Sequence, residues 1–493
     1  MTATLPEQLR HFHITGHGLD DAVPVLTAEA VAAGRALPLE GDFHASSAIT
    51  LPIAAILKAR GPVRDQFTAQ LRQTAERLDD LLALDMSHGE DAGPATALGS
   101  VGGKYLNFSS LTAALRRRNN PVHRMSPERR ERCQAASNAL HQALAIVHPP
   151  FTLFHEDTVP NPLHGELHHS GDPSAAAFAH IHSQLHAMEA TLRALRVARL
   201  ELDDAYDPLV HDAILHRFRW EAAHAEELAA QSPVIVALTS AQAAASPLQS
   251  LSRLLRSGCP VHVIVTQPSL AAGDLKAEAP DLAQLAIAHR DAYVLQSSLA
   301  CRDHLLPALE EMAQVLTPAL AVIATPSAGG WAESVILPLA KAWPLFVFNP
   351  SRGRNWRECL VLHRVDSNGW TAAHAAALNP TLAHHFRILP EIPGDQDPIE
   401  LDLYLVKFQE RAPLAVPFIT MADGTRIAVS RDVASYCHDR QRAYEMLEQW
   451  TAAPAPAKPD GLTAEGRELA MRQGAEAAIA RVLELLNKEG GKP

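Results

Sequence analysis

The sequence predicts an α/β protein, a mainly parallel sheet with helices on both faces preceded by a mostly helical N-terminal region. Short, strongly apolar runs recur at 234–238, 261–265, 292–295, 320–324 and 345–348. Stretches with helical patterning lie between them, at 248–256, 282–289, 305–315 and 332–342. Buried strands alternating with helices imply right-handed crossovers and a parallel sheet covered on both sides. Before residue 145 the apolar residues fall at helical rather than strand spacing.

Taken in order, Phe67, Leu71, Leu78, Leu81 and Leu82 share one face of a helix predicted to open after Gly61-Pro62. A polar, Gly-rich stretch, SHGEDAGPATALGSVGGKY, interrupts. Ser126 followed by Pro127 is an N-cap with Pro at the first helical position, opening a helix that buries Cys133, Ala136, Leu140 and Leu144. The Pro- and His-rich segment 145–174 reads as a loop ordered by packing. Leu185, Met188, Leu192 and Leu195 mark another amphipathic helix. Beyond Pro350 the pattern is mixed, with a hairpin expected to turn at Asp423-Gly424. These readings divide the chain into a helical region of unknown role (1–145), an α/β domain (146–450), a Pro/Ala linker (451–462) and a C-terminal helix (463–493). Thr463 is that helix's expected N-cap, and Ile479, Val482, Leu483 and Leu486 form its apolar face.

Charge and composition narrow the function. The 493 residues carry 43 Lys+Arg against 55 Asp+Glu, a net charge of -12. Nucleic acid is therefore not an expected partner, since its binding rests on counterion release onto basic surface. A membrane surface is disfavoured for the same reason, and no apolar run approaches the roughly 18 residues of a spanning helix. The opening MTATLPEQLRHF lacks a charged-then-apolar leader, so the chain is expected to be cytoplasmic with no membrane insertion. Cys133, Cys259, Cys301, Cys359 and Cys437 are scattered with no C-x-x-C, which suggests neither a disulfide framework nor a zinc or iron-sulfur site.

Few motifs carry chemistry. His180, His182 and His186 form H-x-H-x-x-x-H, and a His pair four apart can bind zinc from one helix face. The general-base Glu of an H-E-x-x-H site is missing, and a packed or solvated role is the plainer reading; His164, His168 and His169 could extend the cluster. Gly99 to Lys104 looks like a phosphate loop, but Leu98 and Tyr105 stand where Gly and Ser/Thr belong. Gly16-His17-Gly18 is a lone G-x-G, and no G-x-S-x-G occurs. The carboxyl ends of the predicted strands, where ligands of such sheets bind, read Thr239-Ser240-Ala241, Thr266-Gln267, Gln296-Ser297-Ser298, Thr325-Pro326-Ser327 and Asn349. All are small and neutral.

Several passages occur together in one order: LRALRVARLELDDAYDPLVHDAILHRFRW, SPVIVAL, LQSLSRLLRSGCPVHVIVTQ, DLAQLAIAHRDAYVLQSSLACRDHLL, PALAVIATPS and PLFVFNP. The stretch from about Ala179 to Trp450 that contains them resembles the thiamine-diphosphate-binding domain of pyruvate:ferredoxin (flavodoxin) oxidoreductases, the 2-oxoacid oxidoreductase family. The resemblance implies the thiamine-diphosphate-binding fold, with a cofactor cleft at the strand ends. It also implies a G-D-G motif and an Asn that hold the divalent cation, and four cysteines that hold an iron-sulfur cluster.

The departures from that pattern set the functional expectation. The Asp of G-D-G falls on Ser240 and its second Gly on Ala241; the Asn falls near Gly273; a late cluster cysteine falls on Ser327. Neutral Ser supplies no charge to a hard cation and no thiolate to iron. The Gly- and Thr-rich covering loop shrinks to 274–280, and 151–162 contains no cysteine. The thiamine-diphosphate, Mg and iron-sulfur sites thus look lost, and no cofactor is expected. The expected function is a non-catalytic structural or regulatory subunit, a pseudoenzyme working in a complex with itself or a catalytically intact protein partner. The alternatives are a subunit of an active 2-oxoacid oxidoreductase whose cofactor is held largely by another chain, and a binder of a different small neutral ligand in the old cleft.

Overall fold

The computed structural model of the chain describes residues 47–87, 125–157, 163–245, 248–270, 275, 281–327, 330–365, 369–389, 398–407, 415–421 and 424–451. The Gly99 and Gly16 motifs, the Pro/Ala linker and the expected C-terminal helix lie outside them.

Helix α1 (Ser47–Ser87) runs without interruption through Pro52 and Pro62, so the start predicted after Gly61 is corrected. An interior proline removes a backbone hydrogen bond and costs about 3 kcal/mol. Burial at both ends of the helix offsets that cost. Ala48, Ile53 and Ile56 pack on the sheet beside Ile235, Ile264 and Ile323. Leu71, Ala75, Leu78 and Leu82 pack on Cys133, Ala136 and Leu140 of α2 (Pro127–Ala145). The N-terminal helices therefore pack on the α/β unit. Helix α2 opens as the sequence predicts, with Ser126 Oγ accepting from the Arg129 amide at 3.2 Å.

The supposed loop 145–174 contains two strands, β1 (Thr152–His155) and β2 (Glu166–His169). Both have four residues, too few for periodicity to register, and β2 is polar because it forms the sheet edge. Helix α3 (Pro173–Leu202) follows, capped by Asp172, whose Oδ1 accepts from the Ala175 amide at 3.0 Å. Then come α4 (Pro208–His216), α5 (Ala225–Ala229), β3 (Val234–Thr239), α6 (Ser240–Ala244), α7 (Leu248–Leu255), β4 (Val261–Pro268), α8 (Leu282–Ile287), β5 (Tyr293–Ser298), α9 (Arg302–Gln314), β6 (Ala319–Thr325), α10 (Gly330–Leu339) and β7 (Leu345–Phe348). The chain continues with α11 (Trp356–Cys359), β8 (Leu360–His363), α12 (Ala372–Leu378), β9 (Phe386–Ile388), β10 (Ile399–Glu400), α13 (Leu401–Lys407), β11 (Pro417–Thr420), β12 (Arg426–Val429) and α14 (Arg431–Thr451).

The main sheet has eight strands in the order β2-β1-β3-β4-β6-β5-β7-β8. Helices α3, α7 and α8 contribute to the core on one face; α1 and α9 cover the other. The sheet is mainly parallel, as the sequence predicts; strand β7 runs antiparallel to both neighbours. The reason is where α10 goes. It returns the chain to β7 at the carboxyl end of β5, pairing Phe346 with Gln296, so the helix stays over that edge instead of crossing the sheet. A second sheet, β10-β11-β12-β9, joins the same core through α12 and α14. Its β11–β12 hairpin turns at Gly424, whose φ of 83° suits glycine; Asp423 lies outside the described residues. None of the described helices is long and apolar enough to cross a membrane.

Candidate functional site

The carboxyl edge of β3, β4 and β6 is where a ligand of this sheet would bind. Ser240 sits there as the first residue of α6 and is buried; Ala241 is exposed. The turn is held locally: Thr239 Oγ1 accepts from the Gln242 amide at 3.2 Å, and Gln242 Oε1 accepts from the Thr239 amide at 2.7 Å. Gln242 Nε2 then donates to Asp157 Oδ2 at 2.6 Å, tying this turn to the end of β1. Gly273 lies outside the described residues.

Ser327 leads to a residue that the strand-end reading missed. Its Oγ donates to Glu333 Oε1 at 2.5 Å, and Ser269 Oγ, just beyond β4, donates to the same oxygen. Ser334 Oγ donates to Ser269 Oγ at 3.3 Å, and Asn379 Nδ2 to Ser327 Oγ at 3.4 Å. Glu333 is fully buried, and Ser269, Ser334 and Asn379 are buried with it. The strand ends are indeed neutral. The carboxylate arrives from α10, the helix that stays over the edge. Its signal in the sequence is a lone Glu two residues ahead of the apolar run 335–340, because such a charge is buried only with partners built around it.

The donor set at this edge does not fit thiamine diphosphate with its cation, or an iron-sulfur cluster. A diphosphate brought beside Glu333 would meet a carboxyl group instead of a cationic donor, and Ser240 adds no charge for a cation. No thiol stands at Ser327. The nearest cysteine in sequence, Cys301, has its thiol pushed up to about 12 by burial and by Asp303. Such a thiol is far from the thiolate that ligates iron.

The three histidines proposed for metal do not converge. The His180 ring lies against Phe154 at 5.3 Å and His168 at 6.0 Å, and burial followed by the His168 charge lowers its pKa. His182 packs on Phe178 at 4.4 Å and faces the Cys259 thiol at 3.9 Å, while His186 pairs with Glu189 at 3.2 Å. Among the described residues no group of three or more His, Cys, Asp or Glu is placed to hold a metal ion. A further pair was invisible in the sequence: Ser297 Oγ lies 2.9 Å from His304 Nδ1 beyond the end of β5. It has the reach of a nucleophile and base, but Ser297 is fully buried. Burial, then the His363 charge, pulls the His304 pKa down to about 4, so the ring is neutral at pH 7.

No protein-family model and no curated protein matches the chain.

Proposed function

We propose that the chain is a non-catalytic structural or regulatory subunit, related to the thiamine-diphosphate domain of 2-oxoacid oxidoreductases, that works in a complex with its own copy or a catalytically intact protein partner. The observation that carries this reading is Glu333. Its carboxylate, with Ser269, Ser327 and Ser334 bonded around it, fills the carboxyl edge with internal contacts. A site that binds and turns over an anionic cofactor needs open, positively disposed groups there. Exposed apolar side chains support the partner. On α4, Leu209 and Ile214 are 94% and 61% exposed, and Trp356 stacks near the partly exposed Trp450 with ring centroids 5.5 Å apart.

The test is calorimetric titration of the purified chain with thiamine diphosphate and magnesium, with an absorbance spectrum after anaerobic purification. No binding heat and no iron-sulfur absorbance are expected. Magnesium-dependent binding at micromolar concentration, or a brown protein, would falsify the reading and return the chain to the active oxidoreductase subunits.

A further inference from the structure

The opposite, amino-terminal edge of the sheet has a different chemistry. There α1 presents Arg60 and Arg64, one helical turn apart, where the chain enters β1 and β3. Arg60 is only 4% exposed. It donates through Nε to the Ala313 carbonyl at 3.3 Å and through Nη2 to the Val315 carbonyl at 2.8 Å, closing the end of α9. Arg64 donates through Nη1 to the carbonyls of Pro149 and Pro150 at 3.3 and 3.5 Å.

All four acceptors are neutral. Among the described residues neither arginine has a carboxylate within ion-pair distance, and desolvation alone, without any acidic neighbour, holds the Arg60 pKa at about 10. The neighbouring His262 on β4 is completely buried. Burial, then the Arg60 charge, pushes its pKa well down, against a weaker pull upward from the Met312 backbone, so it adds no charge of its own. Among the described residues two positive charges, buried Arg60 and half-buried Arg64, thus line one cavity without a counter-charge, in a chain whose net charge is -12. An unpaired buried cation costs several kcal/mol, roughly, and folded proteins pair such charges.

Between the two arginines lies a partly enclosed cavity of about 170 Å³, lined also by Gly61, Pro150, Gln231 and Pro233. A void of about 150 Å³ takes a guest the size of benzene. This one therefore has room for a phosphate ion. Arg60 Nη1, and Arg64 Nε and Nη2, have no protein acceptor among the described residues. Guanidinium forks match the oxygens of a tetrahedral oxyanion.

We propose that this cavity is a binding site for a small tetrahedral oxyanion, inorganic phosphate in the first instance, held between Arg60 and Arg64. The site lies at the other edge of the sheet from Glu333 and stands whether or not the pseudoenzyme reading does.

The experiment is calorimetric titration of the full chain with sodium phosphate at constant ionic strength, chloride replacing phosphate in the control. Wild type is expected to bind one phosphate saturably. Arg64→Gln, which leaves the more deeply buried Arg60 in place, should bind at least tenfold more weakly, and Arg64→Lys should fall between. Circular dichroism in chloride checks that the variants keep the wild-type fold. Methyl phosphate separates two sources of the same chemistry. Binding equal to phosphate supports recognition of small phosphomonoesters as well, and weaker binding supports a site closed around the free ion. Phosphate and sulfate also stabilise proteins generally by exclusion from the surface. A response of the same size in wild type and Arg64→Gln, or no saturable binding, would overturn the assignment.

Discussion

The two edges of the main sheet treat charge in opposite ways. At the carboxyl edge one carboxylate, Glu333, accepts hydrogen bonds from Ser269 and Ser327. At the amino edge Arg60 and Arg64 spend their donors on backbone carbonyls and meet no carboxylate among the described residues. The first arrangement completes itself from within the chain. The second is left with an uncompensated field that an external anion can satisfy. Hydrogen bonds and counter-charge both lower the cost of a buried charge, and here the carboxyl edge is the one whose own side-chain hydroxyls bond to its buried acid.

Removing that buried acid should have the largest effect. Glu333→Ala strips the acceptor shared by the Ser269 and Ser327 hydroxyls and leaves a void, so a loss of about 3 kcal/mol or more is expected in urea unfolding. Glu333→Gln, which keeps an acceptor oxygen, should lose about half as much. An alanine variant as stable as wild type would mean that the serines re-pair among themselves and that the carboxylate does not organise this edge.

Acid should separate the edges next. The folded-state pKa of His304 is depressed to about 4 from 6.5. An unfolded chain therefore binds the proton first, and this group's contribution to stability is present above pH 6.5 and is lost as pH falls toward 4. The loss is at most about 3 kcal/mol. Urea midpoints at pH 7, 5.5 and 4.5 should fall less steeply in His304→Phe. His262 at the amino edge is shifted in the same direction, so His262→Phe measured alongside apportions the acid sensitivity between edges. An unaltered slope in both variants would remove the two histidines as its source.

At the amino edge, packing outweighs charge. A Cβ on Gly165 would come within 2.2 Å of the Phe151 ring, itself fully buried beneath the start of β2. Gly165→Ala should cost about 2 kcal/mol and raise amide exchange in β2 selectively. Wild-type exchange rates there would show that the ring yields freely.

The smallest effect is expected from Arg60→Met in chloride buffer, within about 1 kcal/mol of wild type, because the lost hydrogen bonds are offset by relief of a desolvated charge. A loss approaching that of Glu333→Ala would erase the contrast and mark Arg60 as a structural cap of α9 before anything else.

Much of the fold was legible because its signals are local. The runs that became β3, β4, β5 and β6 are apolar and β-branched over enough residues to be read, and the caps Ser126 and Gly424 have one favoured use each. Strands β1 and β2 were not legible. Four residues give no period, and polar ELHH looks like a loop until β1 pairs with it. The route of α1 through Pro62 was equally hidden, since a propensity penalty is overruled by burial at distant contacts.

The site divides in the same way. Sequence by itself determined that Ser240 and Ser327, at the strand ends, are neutral, because side-chain chemistry travels with the residue. Only the tertiary structure decided that Glu333 would reach Ser269 and Ser327 and that Arg60 and Arg64 would face one cavity. The reason is geometric. Where α10 lies depends on the direction of β7, and where α1 lies depends on burial by residues more than two hundred positions away; neither is written in any stretch of chain short enough to have a pattern.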